Sequence, residues 1–558
     1  MTTPKLKHPA GLPFLFFSEM WERFGYYLMI GIFTLYLEAP EKEGGFGMTS
    51  NQSADIYGTF IALVFLTPFL GGLLADRIIG YRKSIVIGGI LMGLGYCLLA
   101  VKGAEIFWVS LVLIILGNGF FKPNISTLLG NLYNEPKYSS LKDSGYSIFY
   151  MGINIGAAIC NFFAASLRNN FGWGAAFICA GVGMFLGVVI FMLGNKHYKH
   201  ADVLKPTQPG DMSMMQILNT TIIPAIVAGI LGWIIPGNIF GSDSTDAFLI
   251  GALPVVGFYV MTYVRSSAEE KKPVGALLAI FAVVVIFWAV FKQNGTALTT
   301  WANKYTDREM PSAVAKPLDA LGFAKKVSAA PDTIELTDAH FRKQYELNAD
   351  GSKVMVDGKP KVKKVVAQND YFKNLPPEKM PPENGSVVTL NTEIFQSVNP
   401  LWVVLLTFPV VGFFAWLSRR NKEPSTASKI AIGLGISALS TLVMVAAVYA
   451  GSNGAVKVSP WWLIMAYGVV TVGELCLSPM GLSLVSKLSP GRITALMMGG
   501  WFLATSLGNK LSGVLASMWD TYENKAWFFV VNGILLGVAT LIMVLLLKRL
   551  NAVLKQYS

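Results

Sequence analysis

Long apolar runs recur along the chain, separated by short polar stretches. They lie near 14–37, 54–75, 84–101, 105–133, 143–166, 173–194, 221–240, 248–264, 274–302, 394–418, 428–450, 459–489, 491–519 and 525–547. About twenty such residues cross a bilayer as a helix, because a helix satisfies its own backbone in hydrocarbon. The pattern predicts an all-α polytopic membrane protein with fourteen spans. An even number places both termini on one side. The first run is not a cleavable signal, since Glu19, Glu22 and Arg23 interrupt its middle, which a signal's apolar core would not tolerate.

Two segments break the rhythm. Residues 195–220 form a polar linker after the sixth run, and residues 303–393 form a long loop of mixed charge on the opposite side. A loop of that length is expected to be a small domain or partly disordered. Within it, Val354-Met-Val-Asp357-Gly358-Lys359 reads as a tight hairpin with Asp357-Gly358 at the turn. The loop carries no catalytic motif, and the sequence assigns it no function.

Composition agrees with the runs. Hydrophobic residues make up 53% and charged residues 14%, where soluble domains carry about 25% charged. The net charge of +12 suggests a nucleic-acid partner until the positions of the basic residues are read. With the N-terminus inside, the inner loops hold twenty-two Lys and Arg. The short outer loops hold five: Lys42, Lys102, Arg168, Lys457 and Lys525. That asymmetry is a topology signal, so no nucleic-acid partner is expected and both termini are expected to be cytoplasmic. Cys97, Cys160, Cys179 and Cys476 each sit in an apolar run and read as small buried hydrophobes. His8, His197, His200 and His340 all fall in termini or loops, which leaves no histidine for proton chemistry in the membrane.

Setting aside charges in loops and at the ends of runs, seven ionisable residues lie inside spans: Glu19, Glu22, Arg23, Lys122, Lys292, Glu474 and Lys510. Each costs about 2.5–3.5 kcal/mol at the bilayer centre. Such residues face a water-filled cavity or one another. Glu19, Glu22 and Arg23 share one helix face at i, i+3 and i+4, continued by Tyr26 and Tyr27. Glu22 is about 12 Å from the inner end and Lys122, in the fourth span, about 16 Å, so Lys122 is expected to pair with the acidic cluster. A structural ion pair pinning two helices is the alternative, but the surplus of charges favours a set that exchanges partners on protonation. Glu474 lies mid-span with Ser478 at i+4 and Pro479 next. Pro123 and Pro479 each follow a polar position at a helix centre, where a kink opens a cavity. Trp288 and Trp501 read more readily as packing than as binding residues.

The stretch Glu19-Met-Trp-Glu22-Arg23-Phe24-Gly25-Tyr26-Tyr27 resembles the E-x-x-E-R-F-x-Y-Y motif of the proton-dependent oligopeptide transporters, a family of the major facilitator superfamily. Gly71-Gly-Leu-Leu-Ala-Asp76-Arg77-Ile-Ile-Gly80-Tyr-Arg82-Lys83, Phe149-Tyr150-Met-Gly-Ile-Asn154-Ile-Gly156 and Gly473-Glu474-Leu-Cys-Leu-Ser478-Pro479-Met-Gly481-Leu482 resemble three further signatures of that family, in order. The resemblance covers the membrane portion and leaves out 303–393. It implies a major facilitator fold of two six-helix bundles plus an inserted pair of helices, as in bacterial members. The expected division is 1–194, then 195–272 with the linker and inserted pair, then 273–302 with 394–558, and a periplasmic segment at 303–393.

By the same resemblance, the chain is expected to be a symporter of the cell (inner) membrane that imports di- and tripeptides by alternating access. Protons would be the coupling ion with no other cofactor, the lipid bilayer its surroundings, and the monomer the working unit. Glu19, Glu22, Arg23 and Lys122 would couple protons. Arg23, Tyr26, Tyr27, Lys122, Asn154, Gln396, Asn399, Glu474, Ser478 and Trp501 would line the peptide site. Three positions depart from the family pattern. Ile30 stands where members commonly have arginine, Phe65 where they have tyrosine, and Lys292 where they have glutamate. An outer gate at Ile30 and Lys292 would then close by apolar contact, unless Lys292 and Lys510 simply reach for the outer interface. A carrier of another small anionic solute, such as nitrate or an organic acid, is the main rival. A membrane-embedded enzyme lacks support, since no nucleophile–base spacing, metal-ligand cluster or phosphate loop is visible.

Overall fold

The computed structural model describes residues 8–133, 135–138, 142–204, 213–356, 359–382, 384–489 and 494–557. The side chains of Asp76, Arg77, Pro479 and Leu482, and the Asp357-Gly358 turn, fall outside the description. The first six long helices are α1 (Leu12–Glu38), α2 (Ser50–Leu74), α3 (Tyr81–Leu99), α4 (Ala104–Leu132), α5 (Lys142–Phe171) and α6 (Trp173–Leu193). Next come α7 (Met215–Ile234) and α8 (Asp243–Arg265). The last six are α9 (Ala268–Phe291), α10 (Val398–Arg419), α11 (Thr426–Ala450), α12 (Trp461–Leu488), α13 (Thr494–Ser517) and α14 (Lys525–Tyr557). By length and composition, 12 helical segments among the described residues are apolar enough to cross a membrane. The other two, α1 and α13, carry the charged and polar side chains described below.

Local chemistry sets the helix starts. Thr49 and Gln52 form a reciprocal capping box at α2, with Gln52 N donating to Thr49 Oγ1 at 3.2 Å and Thr49 N to Gln52 Oε1 at 3.0 Å. Ser242, Ser267 and Ser425 cap α8, α9 and α11. The α9 helix stops at Phe291, turns tightly through Lys292–Gly295, and resumes as a short helix, Ala297–Lys304. Lys292 therefore sits at a helix break, where a continuous span was expected.

Two apolar cores divide the molecule. One is built from α1–α6 with Tyr198 and Ala201; the other unites α9, α11, α12, α13 and α14. Within the first, α3 and α4 meet so closely that a Cβ on Gly88 would lie 2.5 Å from the Gly117 carbonyl oxygen. Tyr259 of α8 joins the second core, packing against Gly500 of α13. The α7–α8 pair is otherwise peripheral, presenting Ile226, Ile230 and Trp233 outward as an exposed apolar surface.

The halves meet at the end away from both termini, here called the outer end. There Gly58 of α2 lies against Gly513 of α13, with room for no side chain: a Cβ on Gly58 would be 2.7 Å from Gly513 Cα. Ser506 Oγ donates to Ala62 O at 2.6 Å, and Asn509 Nδ2 to Ile61 O at 3.4 Å. On the opposite side of the interface, Asn161 Nδ2 of α5 donates to Ser397 Oγ, just before α10, at 3.1 Å.

Residues 303–393 form a folded cap at that end. Its strands are β1 (Ala324–Ser328), β2 (Asp332–Glu335), β3 (Met355–Val356), β4 (Lys359–Pro360), β5 (Lys364–Ala367) and β6 (Ser386–Leu390). They pair antiparallel as β1–β6, β2–β5 and β3–β4. The last pair, Val356 opposite Lys359, is the hairpin expected there. A small core of Val327, Ala329, Tyr371, Phe372, Leu375 and Val387 holds the cap together. It touches loops of both halves: Lys343 Nζ donates to Gly47 O at 3.0 Å, Asn169 Nδ2 to Ala324 O at 2.9 Å, and Lys457 N to Asn374 O at 2.8 Å.

The Lys457 side chain is buried in this junction. Its ammonium donates to Lys304 O and lies 5.1 Å from the Tyr371 ring centre and 5.5 Å from that of Phe341. Burial, reinforced by the Arg308 charge and opposed by Asp307 and Asp370, pushes the Lys457 pKa down to about 7. Because the folded pKa lies below the ordinary value of 10.5, the unfolded state binds more protons between those two values. Stability of the junction should therefore rise with pH over that window, by up to about 1.4 kcal/mol per unit. Hydrogen exchange of 337–343 and 371–375, corrected for intrinsic rate, should show that gain in the parent protein. Lys457→Met should abolish it.

Candidate functional site

Burying three charges on one turn of α1 requires that they match one another. Arg23 does this. Its Nη2 donates to Glu22 Oε1 at 2.7 Å, its Nε also donates to Glu22 Oε2, and its Nε lies 3.3 Å from Glu19 Oε1. Glu19, Glu22 and Arg23 are almost wholly buried. Asn118 of α4 donates to Glu22 Oε1 at 3.4 Å. One guanidinium thus serves two carboxylates, so protonating either carboxylate weakens one claim on Arg23 and frees donor capacity.

Lys122 departs from expectation. It forms no ion pair with Glu19 or Glu22; its ammonium lies over the Phe65 ring, 3.7 Å from the centre. Lys292 approaches the same ring at 5.5 Å and also lies 5.5 Å from Trp288 and 5.8 Å from Phe291. Neither lysine is paired with a carboxylate among the described residues, and aromatic faces supply a weaker substitute. The physical reason is geometric. Glu22 is already satisfied by Arg23, and Phe65 of α2 offers its ring face to the lysine.

Across from them, Glu474 of α12 accepts a hydrogen bond from Asn399 Nδ2 at 3.1 Å, and the same amide lies 2.8 Å from Thr471 Oγ1. Glu474 feels the charge of Lys292 and lies close enough to Tyr27 and Tyr150 to influence both. The cations come from α1, α4 and the turn that follows α9, and the carboxylate from α12. Tyr26 packs edge-on against Tyr27 at 5.3 Å, with the Arg23 guanidinium 5.2 Å from the Tyr26 ring centre.

Other expected site residues are engaged elsewhere. Asn154 Nδ2 donates back to Tyr150 O at 2.9 Å. Gln396 Nε2 donates to Asn294 O at 2.6 Å and also to Thr299 Oγ1, tying the start of α10 to the break in α9. Trp501 is buried against Gly481 and Phe281 in the second core, in its role as a packing residue. Ser478 Oγ is buried without a hydrogen-bond partner among the described residues.

The outer closure also differs from expectation. Ile30 is part of the first core and Lys292 sits over aromatic rings. Apolar contact is joined by two ion pairs that bridge the halves. Lys510 Nζ of α13, with its side chain fully buried, lies 2.7 Å from Asp55 Oδ1 of α2. Arg168 Nε of α5 lies 3.0 Å from Glu393 Oε1, just before α10. Lys510 does not reach for an interface. Sequence reasoning missed Asp55, Arg168 and Glu393, which sit at the edges of apolar runs or in a short outer loop. Arg82, at the end of the second motif, is held by Asp202 at 3.0 Å and Asn195 at 2.6 Å.

A family model described as the POT family matches residues 82–317 and 378–532. The chain belongs to the POT family. The chain is 30% identical to an uncharacterized transporter, YclF, of Bacillus subtilis, over 97% of this chain and 95% of that one. It is also 30% identical to the peptide transporter YePEPT of Yersinia enterocolitica, over 91% and 87% of the two chains. A crystal structure of a peptide transporter POT in complex with sulfate superposes with a TM-score of 0.74 at 28% identity, covering 99% of this chain and 97% of that one. The fold is thus the major facilitator type, and the chain is an integral membrane transporter. The match to the POT family model is interrupted between 317 and 378, within the cap.

Removing the shared guanidinium strands two buried carboxylates. Arg23→Met should therefore destabilise the protein by about 3–5 kcal/mol. Adding Glu19→Gln should recover part of that loss, since one fewer charge is left unmatched. Thermal unfolding in detergent of both variants and of Glu19→Gln alone measures the coupling.

Proposed function

We propose that the chain is a proton-coupled symporter that imports di- and tripeptides by alternating access. It would act as a monomer in the cell (inner) membrane with both termini cytoplasmic, and with the proton as its coupling ion and no other cofactor. The observation that carries this reading is the division of charge across the interface between the halves. Lys292 stands near Glu474 and shares the Phe65 ring with Lys122, both lysines without a carboxylate partner among the described residues, while the outer end is sealed. A peptide zwitterion is complementary to that arrangement, its carboxylate towards Lys122 and Arg23 and its amine towards Glu474. Bridging the halves lets one ligand bias their relative motion. The peptide transporters among the relatives and the matched structure support the substrate class.

Proton coupling follows from the shared guanidinium. With Glu19 and Glu22 both ionised, Arg23 is fully claimed; a proton on either carboxylate releases it towards a peptide carboxylate. Lys292 adds a cation beside Glu474, which favours peptides with an acidic side chain over those with a basic one. The same excess of cations is the one observation that favours a carrier of another small anion. Competition by dipeptides for the uptake of labelled nitrate or organic acid separates the two readings.

Glu22→Gln fixes a neutral side chain at the coupling position. Peptide exchange between the two sides of proteoliposomes should survive, while accumulation driven by a pH gradient should fall to background. Gradient-driven accumulation at the parent level would remove Glu22 from the coupling role.

Lys122→Ala should lower dipeptide uptake by at least about tenfold, the loss of one charge-assisted hydrogen bond. Glu474→Gln should impair peptides with a free amine more than their N-blocked counterparts. Equal impairment of both would make Glu474 a structural group.

A further inference from the structure

The inserted pair of helices reaches the outer gate. Asp55 of α2 is held by more than Lys510. Ser244 Oγ lies 2.6 Å from Asp55 Oδ2, Ser242 Oγ 2.9 Å from Oδ1, and Thr245 Oγ1 3.2 Å from Oδ1. All three hydroxyls belong to the N-cap and first turn of α8. Lys510 Nζ donates to Ser244 Oγ at 3.0 Å and to Thr59 Oγ1 at 2.6 Å, closing the network. The turn is preformed. The buried carboxylate of Asp246 accepts from Ile239 N and Phe240 N, both at 2.7 Å, and folds the α7–α8 loop back over the helix start.

The α8 helix is docked on the second half, through Tyr259 against Gly500 and Tyr263 against Gly275. Asp55 belongs to the first half. Parting the outer ends of α2 and α13 therefore strips Asp55 of three hydroxyl donors as well as its cation, while Lys510 keeps Ser244 on its own side. We propose that Ser242, Ser244 and Thr245 are positioning residues of the outer gate: the inserted pair is a latch that holds Asp55 and sets how readily the outer side opens. The proposal is independent of which solute is carried and of how protons are coupled.

The test reads gate opening directly, in the full chain reconstituted in vesicles. Cys97, Cys160, Cys179 and Cys476 are replaced by alanine, and Ser53→Cys places a single thiol where the side chain is fully buried behind the closed outer ends. A membrane-impermeant maleimide added outside then reports opening. A second reporter, Tyr150→Cys, at a half-exposed position facing Glu474, is labelled from the opposite face in inverted vesicles. The variant Ser242→Ala with Ser244→Ala should raise outer labelling by about tenfold and lower inner labelling. General loosening of the bundle would instead raise both. Asp55→Asn should act in the same direction, and combining it with the two serine changes should add little. Ser244→Thr, which keeps the hydroxyl, should label near the parent rate; compared with Ser244→Ala, it carries the test if the double variant does not fold. Outer labelling at the parent rate in the serine variants, or serine and Asp55 effects that simply multiply, would overturn the proposal.

Discussion

A charge inside an apolar bundle must find a counter-charge, water or an aromatic face, and this constraint organises the molecule. Arg23 answers it for α1 by serving Glu19 and Glu22 together. Asp55–Lys510 and Arg168–Glu393 answer it for the outer ends, one on each side of the interface and with opposite polarity. The first pair places its acid on the first half, the second its base. Lys122 and Lys292, at the interface between the halves, lean on aromatic rings instead. Matched charges therefore mark where the two halves are closed against each other.

The same division explains how closure is made reversible. Each half has its own apolar core, so the halves are able to move as units without exposing either. Between them, the outer contact relies on glycine at the closest approach, on side-chain hydrogen bonds to backbone carbonyls, and on ion pairs. Such groups exchange protein partners for water when the ends part, whereas an interdigitated apolar interface would expose its surface at about 25 cal/mol per Å². The cap adds contacts to loops of both halves at the same end, so its docking is sensitive to that motion.

Much of this was legible in the sequence because it is one-dimensional information. The number of long helices, the clustering of Glu19, Glu22 and Arg23 on one helix face, and the hairpin in the cap all follow from spacing along the chain. What was not legible depends on which helices are neighbours and how they are rotated. Lys122 and Glu22 share a depth, but depth does not say that Phe65 stands at the lysine. Gln396 was placed in the site by resemblance, yet its amide is spent on the carbonyl of Asn294. Asp55 and Glu393 sit at the edges of their apolar runs, where an acid reads as ordinary loop chemistry until its partner on another helix is seen.

The break in α9 draws these threads together. A continuous helix through Lys292 would have kept its carbonyls for its own backbone. Ending at Phe291 and turning through Lys292–Gly295 releases some of them. The first half uses one: Thr34 Oγ1 of α1 donates to Gly295 O at 3.1 Å. The second half uses another, Asn294 O, to bind Gln396. Gly295 also has to lack a side chain, since a Cβ there would fall 1.8 Å from the Tyr57 hydroxyl. Irregular backbone at membrane depth is tolerated only where protein or water satisfies it. Here the satisfaction comes from both halves at once, immediately beside an unpaired lysine. A change in the partner of Lys292, such as the arrival of an anionic ligand, therefore acts on the same four-residue turn that the outer closure grips.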